Sequence, residues 1–196
     1  MVDLTRDTDG KVRARLLDLV PGRSTKAYAD WLTGRGADFR AGVQVAALDP
    51  FAGYKTAIAD ELADATAVLD AFHVVKLGTQ AVDEVRRRVQ QETLGHRGRK
   101  GDPLYGIQRL LRAAYRCADL AAGRAMAQRI VNVFHTCPVP EIARLGRTLR
   151  RWKEAFLAYF TTDRSNNGGT EAICESGFGW SGTGWSGWMS VVSTRV

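Results

Sequence analysis

Two aspartates stand where short apolar runs end, a position at which α/β sheets commonly bind ligands. Asp49 follows the run 43–48, and Asp70 lies near the end of the run 65–72. Because ligands bind beyond the carboxyl ends of parallel strands, both carboxylates are candidates for function. An aspartate at a strand end is also a common cap of the next helix, so the pattern alone leaves both interpretations open.

A third carboxylate, Glu171, follows a polar, glycine-containing stretch over 161–170. Carboxylate oxygens suit hard cations such as Mg²⁺. Two metal ions held by acidic residues can clamp the attacking and leaving oxygens of a phosphodiester, so the chemistry would be phosphoryl transfer. Taken alone, Glu171 is better explained as a solvated residue in the first turn of a helix, where the dipole favours negative charge.

The elements that must position these carboxylates follow one another as hairpin, helix, strand, helix and strand. Asp9-Gly10 is a hairpin signal, and Ser24 is a candidate N-cap. This order predicts an α/β sheet, antiparallel at one side and parallel at the other. The predicted strands are 2–5, 12–20, 43–48 and 65–72, and the predicted helices between them are 24–32 and 54–62.

The C-terminal half is predicted to be largely helical. From His73 onward, four valines fall close to one helical face and three arginines lie around the other. The valines are Val75, Val82, Val85 and Val89, and the arginines are Arg86, Arg87 and Arg88. Further helices are predicted over 104–115, 120–134 and 140–160, with polar loops over 95–102 and 161–170. From Cys174 the chain has no helical period, and Gly-Trp-Ser-Gly occurs twice, which indicates a low-complexity tail outside the core.

Composition narrows the class of protein. With 196 residues, 45% hydrophobic and 25% charged, the chain suits an ordinary globular domain. It has no apolar run of about 18 residues and no signal-peptide core, so we expect no membrane association and a cytoplasmic location. Three isolated cysteines without a CxxC pair give no support for a zinc site. The net charge of +7 favours partners with phosphate backbones.

Several motifs together resemble the ISL3 family of insertion-sequence transposases. The likeness covers roughly residues 1–173. The motifs are Val45-Ala-Ala-Leu-Asp-Pro-Phe-Ala-Gly-Tyr54, Leu69-Asp-Ala-Phe-His-Val-Val-Lys-Leu77, Arg86-Arg-Arg-Val-Gln-Gln91, Gly95-His-Arg-Gly98, Asp102-Pro-Leu-Tyr-Gly106, Ile142-Ala-Arg-Leu-Gly-Arg-Thr-Leu149 and Asn166-Asn-Gly-Gly-Thr-Glu-Ala-Ile173.

The resemblance implies a partial RNase H-like catalytic domain with a mixed sheet flanked by helices. It implies that Asp49 is the second catalytic Asp and Glu171 the catalytic Glu, both ligating Mg²⁺. Asp70, His73 and Lys76 belong to a supporting motif. The implied partners are DNA at insertion-sequence ends and further transposase subunits. The basic clusters supply candidate DNA contacts at Arg86, Arg87, Arg88, Arg97, Arg99 and Lys100.

The chain also departs from the family pattern. The first catalytic Asp, which the family carries on a strand before the hairpin, has no match, and neither Asp3 nor Asp7 replaces it. The internal helical insertion is shortened near 111–114, and residues 174–196 are unmatched. We therefore expect 1–173 to be a partial catalytic domain that is inactive alone, marginally stable and prone to aggregate. Strands beside the lost one are expected to expose backbone groups or to pair differently.

Three alternatives stay open at this point. The chain is a DNA-binding fragment that regulates an intact transposase; or it is an active nuclease, completed by Asp3, Asp70 or another subunit; or it is a pseudogene product without function. Salt-sensitive duplex binding favours the first alternative. Magnesium-dependent nicking that is lost in Asp49→Ala favours the second.

Overall fold

A computed structural model of the chain describes residues 1–5, 8–9, 14–21, 24–94, 106–166 and 190–192. These residues form two compact units. The sheet unit comprises the described residues of Met1–Asp70 and Thr162–Val196, and the helical unit those of Ala71–Thr161. The chain is a mixed α/β protein rich in helix, as the order of its apolar runs predicted. No described helix combines the length and the apolar composition that crossing a membrane requires.

The sheet unit contains five described strands and three helices. In chain order they are β1 (Val2–Asp3), β2 (Arg15–Leu16), α1 (Thr25–Gly34), α2 (Ala37–Ala41), β3 (Val45–Leu48), α3 (Ala52–Glu61), β4 (Thr66–Leu69) and β5 (Ser190–Val192). β1 pairs antiparallel with β2, and the other three strands form a sheet in the order β4-β3-β5. The predicted hairpin and the parallel pair are therefore present, with shorter strands than expected.

The ends of α1 follow from its sequence. The Ser24 side chain accepts a hydrogen bond from the backbone N–H of Ala27 at 3.1 Å, as an N-cap does. Tyr28 and Leu32, one turn apart, are buried and form the inner face. Gly36 follows the helix with a φ of 85°, a left-handed conformation that favours glycine. The short helix α2, which the sequence pattern did not predict, comes next.

Strands next to the missing family strand were expected to expose backbone groups or to pair differently, and β3 is paired on both of its edges. All four residues of β3 are buried. One edge pairs in parallel with β4, and the other pairs antiparallel with β5. The sequence pattern assigned β5 to a low-complexity tail outside the core, yet its three residues complete this sheet. The strand predicted over 65–72 is also too long, because helical structure begins at Ala71.

Over its described residues the helical unit contains five helices and a short 3-10 turn. They are α4 (Ala71–Leu94), α5 (Gly106–Arg116), α6 (Leu120–Val133), the 3-10 turn (Phe134–Thr136), α7 (Pro140–Arg151) and α8 (Lys153–Ala158). The first, second, third and fourth helices pack in a closed ring, α4 on α5, α5 on α6, α6 on α7 and α7 on α4. The helix predicted over 140–160 is divided at Trp152, whose side chain is buried.

The buried face of α4 differs from the predicted one. Val82 and Val85 are buried, but Val75 is half-buried and Val89 is 39% exposed. The residues 75, 82 and 89 are spaced by seven, and a straight helix drifts about 20° for each such step, so the row leaves the core. Val74 joins the core instead.

Candidate functional site

The ends of β3 and β4 bring Asp49 and Asp70 together in the sheet unit. The last pair in the register of these two strands is Leu48 with Leu69. Asp49 and Asp70 are the next residues of the two segments, and the backbone N–H of Asp70 donates to the carbonyl oxygen of Leu48 at 3.0 Å. Since neighbouring strands lie about 4.8 Å apart, the two aspartates leave the sheet side by side at its carboxyl edge.

Both aspartates are buried, Asp49 with 2% and Asp70 with 1% of its surface exposed. A charged carboxylate is costly to bury unless polar partners or a cation compensate it. Asp49 is not the N-cap residue of α3, because that position is occupied by Phe51. Asp70 directly precedes Ala71, the first residue of α4, so capping stays a reasonable interpretation of Asp70.

Asp3 is an alternative candidate for the missing carboxylate, and both of its carboxylate oxygens accept hydrogen bonds from residues of the hairpin segment. Oδ2 accepts a hydrogen bond from the Arg15 guanidinium at 2.7 Å. Oδ1 accepts one from the Thr5 backbone N–H at 2.9 Å and one from the Thr5 hydroxyl at 2.5 Å. Recruiting Asp3 to a metal would break these bonds, of which the bond from Arg15 connects the two strands of the hairpin.

The remaining predicted ligand lies outside the described residues, as do three of the predicted DNA contacts. They are Glu171, Arg97, Arg99 and Lys100. In the part of the chain that the structure describes, no group of three or more His, Cys, Asp or Glu side chains is placed to hold a metal ion. Among the described residues, the candidate site therefore consists of the two neighbouring carboxylates Asp49 and Asp70.

His73 and Lys76 lie in the first turns of α4, in the helical unit. The His73 ring is half-buried and meets the ring of Phe72 edge-on at 5.6 Å. Phe72 is itself 50% exposed. Lys76 is exposed, as a residue that meets a phosphate must be, although a solvated lysine looks the same.

The three consecutive arginines of α4 have different surroundings. Arg88 forms a two-pronged ion pair with Glu141 of α7, at 2.7 and 3.1 Å. Arg86 is held by Gln90 at 3.0 Å and has only 14% of its side chain exposed. Arg87 is exposed. Of the three predicted DNA contacts on this helix, Arg87 is therefore the most accessible to a phosphate group.

The ion pair of Arg88 with Glu141 is an electrostatic anchor between α4 and α7. Hydrogen bonds from Arg88 lower the pKa of the Glu141 carboxyl below its ordinary value, against the opposing effect of its burial. The same bonds raise the pKa of the Arg88 guanidinium. A second ion pair, between Arg144 of α7 and Glu84 of α4, connects the same two helices one turn further along. These contacts serve structure rather than ligand binding.

A basic surface on α7 was not among the predicted site residues. Arg147, Arg150 and Arg151 are exposed, and Arg147 and Arg151 are one helical turn apart on the same face. The spacing of four residues between two arginines was the available signal. Over its described residues the helical unit carries 14 basic and six acidic side chains, a formal charge of +8.

The sheet unit has the opposite balance. Its described residues include six basic and 11 acidic side chains, a formal charge of −5. The acidic pair Asp49 and Asp70 thus belongs to an acidic unit, while the candidate phosphate contacts belong to a basic one.

Comparison with known families gives the site its context. A family model described as a transposase, of the ISL3 type, matches residues 1–112 and 102–176. The chain belongs to the ISL3 family of transposases. Searches among curated proteins and among solved structures gave no match.

Membership in this transposase family connects the chain with DNA transposition by insertion sequences and makes DNA its expected partner. Transposases of the DDE families use divalent metal ions. The matched residues of the transposase chain include Asp49, Asp70, Glu171 and the arginines of α4 and α7. Strand β5 lies outside the match.

Proposed function

We propose that this chain provides part of a metal-dependent phosphoryl-transfer site for DNA transposition, in a partial RNase H-like domain. In this proposal Asp49 and Glu171 ligate Mg²⁺, and Asp70 supports the site. The observation that carries it is the burial of Asp49 beside Asp70 at the carboxyl edge of two parallel strands. Family membership supplies the class of reaction.

The donor chemistry of these residues fits magnesium. Mg²⁺ prefers oxygen ligands and is commonly held by one or two carboxylates, with water and substrate phosphates completing its shell. Asp49 and Asp70 are both carboxylates, and they follow paired residues at the ends of two neighbouring strands. The burial of Asp49 is expected to favour binding of a cation, because desolvation strengthens its attraction for positive charge.

When bound, magnesium supplies activation of water or of a DNA 3′-hydroxyl and neutralises charge that develops on the phosphate. Asp49 fixes the position of the site, because β3 is buried on all four residues and held on both edges. Asp70 would contribute a second carboxylate to the site, and its position is set by β4, which it directly follows. No covalent protein–DNA bond is required, so neither a serine nor a tyrosine nucleophile is assigned.

We further propose that a polypeptide of these 196 residues is inactive by itself. In this proposal Asp49 and Glu171 take two of the three positions of a catalytic triad, and no residue is assigned to the third. Asp3 does not fill the role without losing its bonds to Arg15 and Thr5. The matches over 1–112 and 102–176 come as two overlapping segments, which supports the proposed shortening of the internal helical insertion near 111–114.

Metal binding tests the site independently of catalysis. Mn²⁺ titrated into the isotope-labelled chain is expected to broaden the amide signals of Leu48 and Asp70 first. Asp49→Asn should abolish this selective broadening, and Glu171→Gln should weaken it. Asp64→Asn is the matched control, since Asp64 is an exposed acid of the same unit. Broadening that survives in Asp49→Asn would reject Asp49 as a ligand.

Nicking of supercoiled DNA tests the proposed inactivity. The chain with Mg²⁺ or Mn²⁺ is expected to leave the DNA intact. If the chain nicks DNA and Asp49→Ala abolishes the nicking, the chain is an active nuclease and the proposed inactivity is wrong. Nicking that is equal in wild type and Asp49→Ala indicates a contaminating nuclease.

A second function is supported by the charge of the helical unit. We infer that its exposed arginines contact DNA phosphates, with Arg147 and Arg151 of α7 and Arg87 of α4 as leading residues. Phosphate contacts of this kind hold DNA without reading its sequence. The chain would then bind duplex DNA even without catalysis, as a regulatory fragment of a transposase does.

A further inference from the structure

Strand β3 has two neighbours of very different origin. On one edge lies β4, about 20 residues later in the chain, and on the other lies β5, close to the C-terminal residue of the sequence. The register of β3 with β5 is antiparallel and pairs Val45 with Val192, Ala46 with Val191 and Ala47 with Ser190. A strand that closes the sheet thus comes from a part of the chain beyond the family match, which ends at residue 176.

Backbone hydrogen bonds show which groups of β3 face each neighbour. The carbonyl oxygens of Gln44 and Leu48 accept hydrogen bonds from the N–H groups of Thr66 and Asp70. Backbone groups alternate between the two edges along a strand, so even-numbered residues of β3 face β4. Val45 and Ala47 therefore face β5, and their partners are Val192 and Ser190.

Strand β5 also contacts β1 of the hairpin. The hairpin contributes only two residue pairs, Val2 with Leu16 and Asp3 with Arg15. A two-stranded hairpin of this size has little stability of its own. Nevertheless Val2 is buried, with 1% exposure. Within the described residues, β5 is thus the strand that touches both the hairpin and the parallel pair.

We propose that the β3 edge is a strand-binding site whose occupant is the C-terminal segment Ser190–Val192 of this chain. The segment is held by main-chain pairing over three residues, so it is exchangeable. The same segment supplied as a separate peptide binds the edge when the covalent copy is removed. This site is independent of the proposed catalytic function, because it uses backbone groups and not the carboxylates of Asp49 and Glu171.

Amide hydrogen exchange resolved by NMR tests the proposal. In a chain ending at residue 186, the amides of Val45 and Ala47 should exchange about ten-fold faster, the size of one lost hydrogen bond. The amides of Ala46 and Leu48, which face β4, should change less. A peptide of residues 187–196 at about millimolar concentration, comparable to the effective concentration of a tethered segment, should restore the protection. Amides of α7 report whether the helical unit stays folded.

A proline pair tests the same site in the full-length chain. Val192→Pro removes a backbone donor that faces β3, whereas Thr194→Pro lies two residues beyond the strand. Faster exchange at Val45 and Ala47 only in Val192→Pro supports the site, including when the shortened chain does not fold. Equal exchange at these two amides in Val192→Pro and wild type overturns it. A folded shortened chain whose protection the peptide does not restore overturns the exchangeable binding.

Discussion

The two units of this transposase chain differ in formal charge and in which of their charged side chains are buried. The sheet unit is acidic, with a formal charge of −5 over its described residues, and it buries Asp49 and Asp70 side by side. The helical unit has a charge of +8 and exposes a row of arginines on α7. Metal ligands call for concentrated negative charge, and phosphate contacts call for positive charge in solvent.

The net charge of +7 for the whole chain therefore describes neither unit. Whole-chain charge indicated a nucleic-acid partner only weakly, because acidic and basic residues were averaged. It also matters what each charge already does. Arg88 lies in a basic run, yet it is committed to Glu141, whereas Arg147 and Arg151 are exposed. A basic run in the sequence thus does not show which of its arginines are exposed and which are held in ion pairs.

Removing two exposed arginines of α7 tests whether DNA binding depends on this surface or only on the net charge of the chain. The double variant Arg147→Gln, Arg151→Gln should weaken duplex DNA binding by up to about 60-fold at roughly 0.1 M salt, because each lost phosphate contact changes the logarithmic salt slope by about 0.9. The slope should fall by roughly 2. Fluorescence anisotropy with a labelled duplex over a salt series measures both quantities.

The matched control for that variant lies in the sheet unit. Lys26→Gln with Lys55→Gln removes the same two charges from exposed positions. It should leave affinity and salt slope nearly unchanged. Equal losses in the two double variants would mean that binding depends on net charge and not on the α7 surface. No binding of the wild-type chain at low salt would reject DNA binding by this chain altogether.

Local patterns predicted much of the sheet unit. Ser24 caps α1 as its side-chain chemistry requires, and the two apolar runs that precede Asp49 and Asp70 form a parallel pair. The position of both aspartates at one sheet edge followed from that pairing. β5 was not predictable, because its pairing with Val45–Leu48 spans most of the chain and its sequence surroundings are rich in glycine and tryptophan.

A second prediction contrasts tight packing in the helical unit with an open helix end in the sheet unit. A Cβ added at Gly146 of α7 would lie 2.2 Å from the backbone nitrogen of His135 and 2.3 Å from the carbonyl carbon of Phe134. Gly146→Ala should therefore destabilise the helical unit by about 2 kcal/mol, within the usual cost of overpacking. Gly34→Ala, with no atom within 4 Å of the added carbon, should be neutral or slightly stabilising.

Urea unfolding of the two glycine variants, followed by amide exchange in each unit, measures these effects. A Gly146→Ala chain as stable as wild type would show that α7 and the 3-10 turn separate at little cost. The difference between the two glycine positions would then not be explained by how tightly each is packed.

Contacts between distant residues limited prediction of the helical unit in the same way as they did for β5. Arg88 and Glu141 are 53 residues apart, and no local pattern indicates their pairing. The sequence placed Arg88 among candidate DNA contacts because its neighbours are basic. Glu141, in the first turn of α7, is buried with 9% exposure where it accepts hydrogen bonds from Arg88. Helical spacing indicates which arginines share a face, whereas their engagement in ion pairs depends on tertiary contacts.

The two units should also differ, by a smaller amount, in how much stability each loses when the pH is lowered. In the helical unit, hydrogen bonds from Arg88 lower the pKa of Glu141 below its ordinary value of 4.5. In the sheet unit, a hydrogen bond from the Trp31 indole N–H, at 2.9 Å, contributes most to lowering the pKa of Asp18 below its ordinary value of 3.8. Both carboxylates therefore stabilise the fold fully above their ordinary pKa, and this contribution is lost as the pH falls through the lowered value.

The loss should be larger in the helical unit, because Glu141 is buried while the Asp18 side chain is 47% exposed and screened by water. Glu141→Gln should be less stable than wild type at pH 7, and the difference should shrink as the pH falls below about 4.5. Asp18→Asn should show the same trend more weakly, starting below about 3.8. Glu154→Gln, an exposed acid of α8, is the control. Urea titrations from pH 7 to pH 2 decide the order, and a stronger trend for Asp18→Asn would place the firmer charge pair in the sheet unit.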